Sequence, residues 1–219
     1  MLDDVGRFPK AGQCLFHNCV PCFVRHVVAD GDTSATPRES RCFYDEIPIG
    51  RQIDNMIRNL GELARIAGDL GVVLALENHM DYRMSEIAPV IEGVDSPWLR
   101  INYDFSNSLN VVEDQVEAAH LAAPYTAMTH LRDMRVQSIT TTGEPKFFHA
   151  PVGHGSVEIR EIFEILQHGA PDPDSTPNCM EPPCLPDYDP QLWMRLSIEW
   201  LESNCAEFFP RRFDTTRVG

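Results

Sequence analysis

The sequence predicts an α/β fold built on a parallel sheet of βα units, and three observations predict it. Near-continuous apolar strands alternate with helical segments five times, and polar residues able to bind a ligand stand at the carboxyl ends of four of those strands. The glycine-rich first turn typical of an open doubly wound sheet is absent. Strands that read apolar throughout are buried on both faces, so helices must cover the outer face. A closed barrel of this kind places its chemistry at the carboxyl ends of its strands.

The elements follow in order. Residues 1–20 show no periodicity and contain Gly6, Pro9, Gly12 and Asn18, so they read as irregular. CFVRHVV, residues 22–28, is the first strand, and a polar loop, ADGDTSATPRES, follows it. From Gly50 to Leu70 the apolar residues Ile53, Met56, Ile57, Leu60, Leu63, Ala64 and Ala67 fall at spacings of three and four, an amphipathic helix stopped by Gly71. The run Val72, Val73, Leu74, Ala75, Leu76 is a buried strand that closes on Glu77, Asn78 and His79.

Met84–Ile91 reads as a helix, Gly93 and Pro97 interrupt, and Trp98–Phe105 is the next strand. Asn107–Val112 reads as a loop and Glu113–Ala122 as a helix that stops before Pro124. Tyr125–Leu131 is a strand, and Arg132–His154 a long loop in which Phe147 and Phe148 form a short strand. Val157–Gln167 carries Ile159, Ile162, Phe163 and Leu166 on one helical face, with Gly169 as terminator. A strand at 177–181 precedes a last helix, Gln191–Asn204, with Asp189 as N-cap and Pro190 at the first helical position.

Composition narrows the function. The 219 residues are enough for one sizeable core, and a single domain over 1–219 is the expectation. A formal charge of −15 with only 18 Lys and Arg argues against nucleic acid as the main partner. No run approaches the roughly 18 apolar residues of a membrane span, and MLDDVGRFPK is not a signal peptide. Seven scattered cysteines, an odd count, point to a reducing, cytoplasmic setting. Cys14, His17, Cys19 and Cys22 lie close together, but without a second CxxC pair they read as ordinary thiols beside a buried strand.

A carboxylate at the end of a buried strand costs several kcal/mol if unpaired, so Glu77 needs a partner. Asp104 follows it by 27 positions and His130 follows Asp104 by 26, about the length of one strand and its return helix. Each therefore stands at the same height of successive strands, and Glu181 comes 51 positions later. Singly, Asp104 reads as a loop cap, His130 as a satisfied core histidine and Glu181 as a turn residue beside two prolines. Jointly they read as an oxygen-rich site with one imidazole, suited to manganese, magnesium or cobalt, with zinc as a further option.

LALENH, NYDFSNS, APYTAMTHLRD and PVGHGSV together resemble the xylose isomerase-like barrels, and within them the sugar phosphate isomerase/epimerase family. That family includes tagatose 3-epimerase-type enzymes, hydroxypyruvate isomerase and inosose dehydratase. The resemblance runs from about Val24 to Asn204 and is strongest from Leu63 to Glu164. It implies a (βα)8 TIM barrel with one divalent metal held by Glu77, Asp104, His130 and Glu181. It also implies that Glu77 and Glu181 form a proton-transfer pair, working through an enediolate on a small sugar, sugar phosphate or hydroxy-ketone.

His79, Asn107 and Arg132 are the candidate substrate-binding residues. His79 also reads as a second partner of a ligand, and Arg132 as a solvated surface charge. Asp133 either orients His130 or caps a turn. Gly153 and Gly155, flanking His154, form either a tight turn or a phosphate cradle.

Two positions depart from the epimerase pattern: Asn107 stands where many epimerases carry a histidine, and Arg83 where tagatose-type enzymes carry a glutamate. Length departs too, since such barrels need roughly 250 residues. Counting back from Glu181 as the eighth strand makes Phe23–Val28 the fourth, which predicts a partial barrel of the C-terminal five βα units with the first three missing. Exposed strand edges then call for a cover, and a second copy of the chain is one candidate. A dehydratase using the same enolate chemistry and a non-catalytic barrel fragment are the rival readings.

Overall fold

The computed structural model describes residues 48–79, 81–138, 143, 145–173, 176, 178–180 and 188–209. The irregular stretch 1–20, the strand expected at 22–28, the cluster Cys14, His17, Cys19 and Cys22, and Glu181 lie outside the described residues.

Helix α1, Ile49–Leu70, buries Met56, Leu60, Ala64 and Ala67 along one stripe. Gly71 ends it in the left-handed region, at φ 66°, and its N–H reaches the carbonyls of Ala67 and Gly68. The chain then runs β1, Leu74–Glu77; α2, Met84–Val94; β2, Leu99–Asp104; and α3, Asn107–Asn110. Next come α4, Gln115–Ala122, and β3, Thr126–His130, followed by β4, Asp133–Ser138, and β5, Pro145–Ala150. It closes with α5, Ile159–Gly169; β6, Asn178–Cys179; and α6, Pro190–Asn204.

Strands β1, β2, β3 and β6 pair in that order and all in parallel. Spatial order follows chain order with no reversal, as in a barrel wall and unlike a doubly wound sheet. Helices α1 and α2, α2 and α4, and α4 and α5 pack in succession, which makes the outer layer. On β2, Leu99, Ile101 and Tyr103 are fully buried toward that layer, and the Tyr103 hydroxyl donates to the Gln115 carbonyl of α4 at 3.0 Å. The alternate residues Arg100, Asn102 and Asp104 face the barrel interior.

Side-chain caps hold the connections. Asp189 accepts from the backbone N–H of Gln191 and Leu192 at the start of α6, as the sequence predicts. Glu113, just before α4, accepts from the N–H groups of Met84 at 2.8 Å and Ser85 at 3.3 Å, so one loop carboxylate caps the start of α2. Arg83 donates to the Val111 carbonyl at 3.2 Å, which ties the loops after β1 and β2 together. Phe163 of α5 packs against Phe105, Phe208 and Phe209 with ring centroids 5.1–5.5 Å apart, which joins the sheet to the C-terminal segment.

Two expectations are corrected. Asn107–Val112 is not wholly loop, because Asn107–Asn110 forms one helical turn. The segment Arg132–His154 is not a long loop with one short strand; it folds as an antiparallel ribbon, β4 against β5, with Val136 opposite Phe147. Ribbon residues 135–137 and 145–148 are exposed, so burial imposes no alternation there that a sequence could show.

Candidate metal centre

Parallel pairing sets the site. Glu77 pairs with Asn102 and Asp104 with His130, so the ends of β1, β2 and β3 stand side by side with Glu77, Asp104 and His130 on the interior face. One donor atom from each lies within 4.8 Å of the other two. His130 Nδ1 is 3.2 Å from Asp104 Oδ2 and 3.4 Å from Glu77 Oε1.

Asp104 is completely buried, a position a carboxylate holds only with full partnership. Its Oδ1 accepts from the Ser106 N–H at 2.8 Å, the Ser106 hydroxyl at 2.9 Å and the Asn107 N–H at 3.1 Å. Oδ2 is thereby turned toward His130 and toward Arg132 Nη1, 3.2 Å away. Burial alone would raise the carboxyl pKa, but His130 and Arg132 outweigh it and hold the group below its ordinary value. Burial likewise pulls His130 down, yet its hydrogen bonds to Asp104 and Glu77 win and push it up to about 9. The other ring nitrogen, Nε2, is buried without a partner among the described residues.

Asn78 fastens the backbone beneath these groups. Its Nδ2 donates to the Asp104 carbonyl at 3.0 Å and its Oδ1 accepts from the Asp104 N–H at 2.6 Å. Asn107 Nδ2 lies 3.4 Å from Glu77 Oε1, so the residue expected to meet substrate also steadies the carboxylate.

The sequence profile of the xylose isomerase-like TIM barrel family matches residues 20–204. The chain belongs to that family. No curated protein matches it. Among solved structures it is similar to a xylose isomerase-like TIM barrel protein from Mycobacterium smegmatis in complex with magnesium, at 21% identity and TM-score 0.57 over 71% of this chain and 51% of that one. It is similar to D-psicose 3-epimerase from Clostridium cellulolyticum H10 with D-tagatose, at 16% identity and TM-score 0.56 over 74% and 58% of the two chains. It is also similar to the IolI protein with a bound zinc atom, at 16% identity and TM-score 0.59 over 79% and 62%. At such identities the likeness is one of fold. The chain spans between half and two thirds of the length of these structures.

In this xylose isomerase-like chain two further candidates, His79 and Arg132, have partners within the protein. His79 is paired rather than free, its Nδ1 3.4 Å from Asp81 Oδ2. Burial lowers its pKa, but Asp81 and the charge of Glu77 outweigh this and raise it. Arg132 is not a solvated surface charge: it is half-buried, bound to Asp104, with Nη2 3.5 Å from His149 Nδ1. Burial and the Arg132 charge both push His149 down, so that ring is neutral at pH 7.

Asp133 caps a turn; its carboxylate bonds none of the His130 ring atoms among the described residues. Its Oδ2 accepts from the N–H groups of Gly153 at 2.9 Å and Gly155 at 2.7 Å, and its Oδ1 from Val157 at 3.1 Å. The cradle offered to a phosphate is therefore filled by the chain's own carboxylate, and the plain-turn reading is correct. Gly153 adopts φ 83° there, which favours glycine.

Asn78, Ser106 and His149 are the site residues that sequence reasoning missed. Asn78 and Ser106 lie inside LALENH and NYDFSNS, so their signal was adjacency to a candidate ligand. His149 had none, since nothing local ties it to Arg132.

Proposed function

We propose that the chain is a divalent-metal-dependent isomerase or epimerase of a small sugar, sugar phosphate or hydroxy-ketone. The observation that carries the reading is the convergence of Glu77, Asp104 and His130 from the carboxyl ends of three adjacent parallel strands. Family membership, and likeness in fold to a sugar epimerase and to IolI, support it.

The donor set fits a cation. Two carboxylates and an imidazole suit manganese, magnesium or cobalt, and zinc takes the same donors. Donors placed about 2.1–2.3 Å from one ion stand up to roughly 4.5 Å apart, and the observed contacts of 3.2 and 3.4 Å fall inside that reach. A bound cation supplies a Lewis acid that polarises a carbonyl and acidifies the carbon beside it.

The chain's own residues do the rest. Glu77 contacts His130 and Asn107 through Oε1, which leaves Oε2 to take a proton from carbon. Asp104 is poorly placed as a base, because Oδ1 already accepts three hydrogen bonds and Oδ2 faces Arg132. Its role in this reading is to hold charge and position. Glu181, which lies outside the described residues, is the proposed fourth ligand and the proposed partner of Glu77 in proton transfer. His79 and Arg132 are the proposed hydrogen-bond partners of substrate hydroxyls.

Incubating the full chain with manganese and a panel of ketoses in heavy water tests the reading. Solvent deuterium at the carbon beside the carbonyl, lost in Glu77→Gln, is the expected result. Formation of a conjugated, ultraviolet-absorbing product with loss of water would instead establish a dehydratase. No exchange with any ketose would overturn the isomerase reading.

A further inference from the structure

We propose that Asn78 is a positioning residue that fixes the two carboxylates of the site relative to each other and so sets its affinity for the cation. The inference rests on the cation site proposed above. The strand ladder between β1 and β2 ends at the pair Glu77 and Asn102, so Asp104, two residues on, has no β1 residue opposite it. The Asn78 side chain takes that place: Oδ1 accepts the Asp104 N–H at 2.6 Å and Nδ2 donates to the Asp104 carbonyl at 3.0 Å. Asn78 is only 2% exposed, so water does not compete for either bond.

A side-chain amide carries one acceptor and one donor group in a plane, as a peptide unit does, so it substitutes for a strand residue. Aspartate keeps the acceptor and loses the donor. Serine is too short to span N–H and C=O together, and glutamine adds a methylene that the closed geometry does not accommodate. Asn78 is covalently next to Glu77, so the clamp joins the backbones of both carboxylates through one peptide link.

The clamp also complements the bonds on Asp104 Oδ1. Ser106 and the Asn107 N–H choose the carboxylate rotamer, whereas Asn78 locates the backbone from which it springs. Partners that orient ligands in this way typically change metal affinity by about 10–100-fold when removed.

The test is calorimetric titration of manganese into the metal-free full chain, wild type and variants, with far-UV circular dichroism confirming folding. Asn78→Ala is expected to bind manganese at least tenfold more weakly. Asn78→Asp separates geometry from charge, since a new negative group beside the site would by itself tighten cation binding, yet the clamp predicts weakening. Ser197→Ala is the stability control. Its buried hydroxyl accepts from the Val152 N–H and donates to the Trp193 carbonyl, neither of them a residue of the site, so its loss is expected to lower the melting temperature and leave manganese affinity unchanged. Folded Asn78 variants that bind as tightly as wild type would overturn the clamp alone. Absence of manganese binding by wild type would overturn the cation site and the clamp with it.

Discussion

Cation binding to this chain is expected to expel a proton from His130. In the metal-free protein Asp104 and Glu77 hold the imidazole charged, with a pKa of about 9. At about pH 7.5 roughly 97% of the rings carry the proton. A ligand imidazole must be neutral, so each cation bound displaces about one proton. Apparent affinity should then rise about tenfold per pH unit and level off near pH 9. Asp104 adds nothing to this count, since its pKa is held below the ordinary carboxylate value and it is already ionised. Calorimetric titration with manganese in two buffers of different ionisation enthalpy measures the effect. The slope of observed enthalpy against buffer enthalpy gives the protons released, and His130→Asn should abolish most of it. Tight binding by wild type with a slope near zero would refute the reasoning.

Four further outcomes follow from the same structure. The folded pKa of His130 stands above its unfolded value of about 6.5, so its contribution to metal-free stability is full below pH 6.5 and is lost as pH rises through 9. The ceiling is on the order of 3 kcal/mol, read by urea unfolding across that window; a flat profile would contradict it. Phe163→Ala empties the contact with Phe105, Phe208 and Phe209 and should cost about 3–5 kcal/mol in the same assay. Gly153→Ala sets a side chain at φ 83° against the Trp200 ring and should lower the melting temperature by several degrees or more. Cys205 is fully buried and burial pushes its thiol up to about 11, so peptide mapping should show it labelled by a thiol reagent only after unfolding.

Much of this architecture is legible in the sequence because burial writes a period into it. The spacing of Ile53, Met56, Leu60, Ala64 and Ala67 marks α1, and the observed helix agrees within a residue at its start. The separations of 27 and 26 positions predict Glu77, Asp104 and His130 at one height; the observed register aligns Asp104 with His130, whereas Glu77 stands opposite Asn102, two residues short of Asp104. The ribbon is illegible for the converse reason: residues 135–137 and 145–148 are exposed, so charged and aromatic residues mix there without a period. The α3 turn is too short to show one. Asp133 was undecidable because its partners, Gly153, Gly155 and Val157, lie 20–24 residues away and bond through backbone amides that carry no side-chain signal. Asn78 reads as one more polar residue beside Glu77, and only its two side-chain hydrogen bonds to the Asp104 backbone show what its amide does.

Manganese titration into wild type and Glu77→Gln, both metal-free and shown to be folded, tests the central claim most directly. One ion per wild-type chain with affinity reduced at least tenfold in Glu77→Gln is the predicted result. Equal binding by the two proteins, or none by wild type, would contradict a cation centre at the ends of β1, β2 and β3.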